Sequence, residues 1–165
     1  MSTKPAFIIW LLASLILLGI LSWVNAPLVN ETAPWGLLSW QFAATPQQTQ
    51  AILASWDRRT QLLAAFGSGL DYLFMLVYAV TLNLACRWSA EKLNRANWGR
   101  WLGSLVWVAA LLDGVENACL AIGLIGTAVS PYPEIATFSA TAKFTLILLA
   151  MAWSLLGVAV ALRPD

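Results

Sequence analysis

The stretch LLDGVENACLAIGL, residues 111–124, is apolar enough for a buried helix, yet it holds Asp113, Glu116 and Asn117 within five residues. Residues three and four apart share a helix face, so the three polar groups form one stripe. Two other stretches carry groups able to meet it. GLDYLFMLVY sets Asp71 and Tyr78 seven residues apart on one face, with Tyr72 beside Asp71. TFSATAKF sets Lys143 one helical turn after Ser139, with Thr137 close by. Carboxylates, an amide carbonyl and phenol oxygens are hard donors that suit Mg²⁺, Ca²⁺ or Na⁺ better than soft metals. A carboxyl in such a place can also exchange a proton, and a lysine can hold an anion. The candidate ligand-binding set is therefore Asp71, Tyr72, Tyr78, Asp113, Glu116, Asn117 and Lys143. Asp71, Asp113, Glu116 and Asn117 are the candidate ligands of a hard cation, and no residue stands out as catalytic.

The composition says what surrounds these groups. Of 165 residues, 60% are apolar and 10% charged, where a soluble domain carries about a quarter charged. An integral membrane protein with one domain, residues 1–165, follows. The net charge of +1 provides no basic field for nucleic acid. The chain has no histidine, which removes His-ligated haem, a His general base and most zinc sites. Cys86 and Cys119 form no C-x-x-C pair, so dithiol redox chemistry is not expected. No cofactor is expected beyond a possible hard cation such as Mg²⁺, Ca²⁺ or Na⁺.

Four apolar segments are long enough to cross a bilayer: Ala6–Val24, Leu62–Cys86, Trp101–Val129 and Ala136–Leu162. Each meets the roughly 20 residues that a core of about 30 Å requires. None alternates with period two, so a helix is the structure that satisfies the backbone in lipid. The expected fold is all-α, a bundle of four transmembrane helices. The first segment follows Lys4 and precedes VNA, as a secretory signal would, but about 19 apolar residues suit a spanning helix better. Residues 25–61 read as an outer interfacial segment, because Trp35, Leu37, Leu38, Trp40 and Phe42 are too apolar for water. Thr45 and Pro46 mark a helix start there, a helix able to continue into the second span. Residues 87–100 read as a loop.

Basic residues set the expected orientation. Lys4, Arg87, Lys92, Arg95, Arg100 and Arg163 fall on one side, and Arg58 and Arg59 on the other. Both termini and the 87–100 loop are then cytoplasmic, and the setting is a cell inner membrane. Depth follows from the helical rise. Asp71 lies 16 residues from Arg87, about 24 Å, and Asp113 and Glu116 lie about 20 and 24 Å from Arg100. Lys143 lies 20 residues from Arg163, about 30 Å. The four charges thus share one layer in the outer half of the bilayer.

An acid at a helix centre costs about 2.5–3.5 kcal/mol even on the lenient insertion scale, so these groups are expected to face one another. Three acids meet one base. Either an acid carries a proton, or a cation or a water pocket supplies the missing charge. The expected function is binding or transport of a cation, proton or small polar solute. A structural or assembly subunit is the alternative, and an enzyme acting on a lipid-linked substrate a further one. The inner halves of the spans offer few polar groups (Asn83, Thr81, Ser104), which suits a dead-end pocket. The small residues Gly99, Gly103, Ala110, Gly114 and Ala118 permit close helix contact, within one bundle or with a partner. The expected partners are the lipid bilayer and a second copy or larger membrane complex, with no nucleic acid.

Overall fold

The structure is a computed structural model that describes residues 3–126 and 128–162, with side chains from Pro5 onward. Arg163 and the Lys4 side chain, two of the basic anchors counted above, lie outside the described residues. The described residues form helices and no strand. In order they are α1 (Thr3–Asn25), a 3-10 turn (Ala26–Leu28), α2 (Leu37–Gln41), α3 (Pro46–Ser55), α4 (Arg58–Lys92), α5 (Ala96–Leu124) and α6 (Tyr132–Ala161). Four of them, α1, α4, α5 and α6, are long and apolar enough to cross a membrane. Their outward faces carry Ile16, Leu73, Leu111 and Leu155 exposed, as a surface solvated by lipid chains would.

Each spanning helix starts before its apolar segment, whereas the far ends differ: α4 runs past Cys86 and α5 stops short of Val129. Helix α4 begins at Arg58 and runs to Lys92, and α5 begins at Ala96 and ends at Leu124. Most of the expected 87–100 loop is therefore helical, because polar residues extend a helix into water as readily as apolar ones extend it into lipid. The remaining turn closes on Asn94, whose φ of 52° is the left-handed conformation that asparagine tolerates. Arg95 N donates to Ala90 O at 2.9 Å across it.

The segment before α4 corrects a second expectation. Helix α3 starts as its sequence implies, with the Thr45 hydroxyl accepting from Gln48 N and Pro46 in the first turn. It does not continue into α4. Trp56 is extended (φ −99°, ψ 129°), and Asp57 opens a new helix by accepting from Thr60 N at 2.7 Å. Trp56 is instead a buried anchor. Its indole N–H donates to Leu28 O at 2.8 Å and its ring meets Trp40 edge-on at 5.7 Å. With Leu28, Ile52, Leu120 and Ala136 these rings form a core that caps one end of the bundle.

At the other end α4, α5 and α6 pack through Ala79, Cys86, Leu102, Val106 and Ala150. Helix α5 packs against both α4 and α6, while α1 leans mainly on α4. Gly67 lies where α1 and α2 approach α4, since a side chain there would meet Leu37 at 3.0 Å and Val24 at 3.3 Å. Helix α4 is continuous through Gly67 and Gly69.

Candidate functional site

Between the two cores, three helices present their polar residues to one another. Helix α5 turns Asp113, Glu116 and Asn117 inward, and all three are buried. Helix α6 brings Lys143, also buried, against them. Lys143 Nζ lies 2.5 Å from Asp113 Oδ1 and 2.9 Å from Glu116 Oε2. The other Asp113 oxygen accepts from the Tyr78 hydroxyl of α4 at 3.1 Å. The Asn117 amide donates to Asp71 Oδ2 at 2.9 Å and to Asp113 Oδ1 at 3.3 Å, so it ties α4 to α5.

Six of the seven residues singled out from sequence therefore form one network: Asp71, Tyr78, Asp113, Glu116, Asn117 and Lys143. Tyr72 does not join it. It flanks Asp71 on the exposed side of α4 and donates to the Gly114 carbonyl at 3.1 Å. One step around a helix is about 100°, which carries a neighbour in sequence off the shared face. Glu116 joins the network without reaching open space. Its Oε2 meets Lys143 as an ion pair off hydrogen-bond alignment, and its Oε1 meets no donor.

Ion pairing is uneven across the cluster. Asp113 and Glu116 share one ammonium, and Asp71 has only an amide. The position between two carboxylates that a metal ion would take is filled by Lys143 Nζ. Among the described residues, no three His, Cys, Asp or Glu side chains are arranged to hold a metal. A buried pair returns its desolvation cost only when its remaining lone pairs are also met, which Asp113 achieves and Glu116 does not.

A cavity of about 270 Å³ opens in front of this network. Asp71, Tyr78, Asp113, Asn117 and Lys143 line its polar back wall. Leu18 and Leu21 of α1 form one side, Phe144 and Ile147 of α6 the other, and Leu37, Leu38 and Gln41 of α2 the roof. Four of its polar residues, Ser22, Asn25, Gln41 and Ser68, escape the sequence reading. Ser68 could have been found, since it lies three residues before Asp71 on the same face. Asn25 ends the first helix and fixes the roof, accepting from Leu37 N at 2.7 Å. Gln41 gives no sequence signal, because it ends the short helix α2, whose placement depends on the helices beneath it. Comparison with known protein families, characterised proteins and solved structures finds no match to this chain.

Proposed function

We propose that the chain is a multi-pass inner-membrane protein that binds a small cation in this pocket, with the Asp71 carboxylate as counter-ion. The observation that carries the reading is the uneven pairing. Of the three acids in the cluster, Asp71 alone lacks an ammonium partner, and it lines the cavity. A carboxylate in a largely apolar cleft attracts positive charge more strongly than one in water. The cap end is the outer face in this reading, by the distribution of arginine and lysine.

Binding fits better than passage through the bundle. Beyond the pocket, Asn83 donates to Gly103 O and Ser104 to Arg100 O, so both are spent on helix backbone. A through-route would require a second copy or a larger complex. A structural subunit is the second reading, favoured by one observation: the network links α4, α5 and α6 and is largely satisfied from within.

Thermal melts of the purified protein separate the two readings. Na⁺, Mg²⁺, Ca²⁺ and methylammonium are added one at a time between pH 5 and 9, beside Asp71→Asn and Glu116→Gln. A bound cation at 100 times its dissociation constant stabilises by about 2.7 kcal/mol. We expect a rise in Tm with at least one cation in the wild type and no rise in Asp71→Asn. A wild type indifferent to every cation overturns the binding reading in favour of the structural one.

A further inference from the structure

The pocket opens sideways. Its roof is fastened to both flanking helices: Asn25 of α1 accepts from Leu37 N, and Thr137 of α6 donates to Gln41 O at 3.1 Å. Phe42 at the end of α2 also stacks on Phe144 of α6, with centroids 5.9 Å apart. The back is closed by α4 packed on α5 and α5 packed on α6. Helices α1 and α6 form the side walls, each packed on α4, with little direct contact between them. The gap between them faces the surroundings of the bundle, which for a spanning helix are lipid chains.

The same gap continues away from the cap. A second cavity of about 470 Å³ lies on it, again between α1, α4 and α6. Its walls are apolar, formed by Leu11, Leu82, Met151 and Leu155 among others. The polar pocket ends at Tyr78 and Ile147, and the apolar one begins at Thr81 and Met151. That is one helical turn, about 5 Å, along either helix. The Ser14–Thr81 hydrogen bond at 2.8 Å ties α1 to α4 at the floor of the seam at this join.

We infer that the ligand is an amphiphilic ammonium drawn from the bilayer, its head at Asp71 and its hydrocarbon chain in the seam between α1 and α6. This rests on the reading that the pocket binds a cation at Asp71. The chemistry favours an ammonium over a bare metal ion. A divalent ion asks for about six to eight oxygens, whereas an ammonium needs a charged acceptor and tolerates apolar walls. The aromatic pair Phe74 and Tyr78, 5.4 Å apart, lines the pocket below Asp71, and ring faces also attract ammonium groups.

Two probes test this. Methylammonium carries the head alone; a long-chain primary alkylamine with a diazirine near its chain end carries head and tail. Both are applied to the protein in phospholipid nanodiscs, with wild type, Asp71→Asn and Ile147→Trp, which adds bulk where the polar pocket meets the apolar seam and leaves every carboxylate in place. We expect methylammonium to raise the wild-type Tm. We expect the diazirine to label peptides containing Leu11, Leu82 or Met151, with labelling reduced at least tenfold in Asp71→Asn and in Ile147→Trp. Methylammonium stabilisation with labels spread evenly over all lipid-facing helices overturns the inference and leaves the cation site standing. Seam labelling that persists in Asp71→Asn also overturns it, since the seam then takes hydrocarbon without regard to the head. Failure of both probes overturns the inference, and failure of both with Na⁺, Mg²⁺ and Ca²⁺ also without effect overturns the cation site as well.

Discussion

At the end of the bundle remote from the cap, α4, α5 and α6 meet through glycine and alanine; nearer the cap the same helices meet through charge. A side chain on Gly99 would collide with Ala90 and the Cys86 carbonyl, and one on Gly157 would collide with Ser89. Helix backbones approach closely there, and Ser89 Oγ reaches across to Ser154 O at 3.2 Å. Lipid chains are as apolar as leucine, so such contacts hold helices by packing rather than by escape from water. Near the cap, long polar side chains span the interface instead, and a cavity remains beside them. Close packing of small residues fixes where the helices cross. The charged layer fixes their register and leaves room for something else.

The largest expected effect comes from unbalancing the charged layer. Lys143→Met leaves Asp113 and Glu116 buried without their cation, and losing one partner of a buried pair costs about 3–5 kcal/mol. Adding Asp113→Asn and Glu116→Gln to Lys143→Met is expected to recover most of that loss, since the stranded charges are then gone. Melting of the three variants in one detergent checks this. A Lys143→Met protein as stable as wild type would mean that the charged layer does not hold the helices.

A smaller effect is expected at the close-packed end. Gly99→Ala forces a methyl against the Cys86 carbonyl, a backbone atom 2.8 Å away that cannot swing aside. Overpacking of this kind costs about 1–3 kcal/mol. Gly19→Ala on α1 is the control, because nothing lies within 4 Å of the added methyl. If both variants melt alike, close backbone contact is not what secures that end.

The sequence made the charged layer legible and the cavity illegible, for one physical reason. Asp71, Asp113, Glu116 and Lys143 are costly in an apolar chain, so their cost alone predicts that they meet. Helical spacing then placed Asp113, Glu116 and Asn117 on one face, and the rise per residue put the four charges at one depth. Tyr72 was drawn in by adjacency in sequence, which a helix does not convert into adjacency in space. Gly99 and Gly103 were visible as small residues, but which helix they admit depends on crossing geometry; the structure places them against α4. Gln41 and the roof were out of reach, because residues 25–57 take their shape from Trp40 and Trp56 settling on helices far away in sequence. The break at Trp56 and Asp57 was nevertheless open to a closer reading, since Asp57 followed three residues later by Thr60 is a helix-start pattern in its own right.

Asp57 offers the smallest effect and the cleanest contrast with the buried acids. It is an aspartate like Asp113, but it stands at the exposed start of α4 with its charge in water. Hydrogen bonds from the Thr60 side chain and amide hold its carboxyl below the ordinary aspartate range, against a minor opposing effect of burial. A carboxyl held low in the folded state stabilises above its unfolded value, and that stability is lost as pH falls through the folded one. The loss is therefore expected on the acid side, below the ordinary aspartate range. Asparagine caps a helix about as well as aspartate but does not titrate. The difference in Tm between wild type and Asp57→Asn should thus be small at neutral pH and move in favour of the variant on acidification. Amide exchange at Thr60 and Gln61 is the local readout, since their N–H groups are the ones bonded to Asp57. Coincident acid limbs for the two proteins would remove the cap from the account of why α3 and α4 are separate helices.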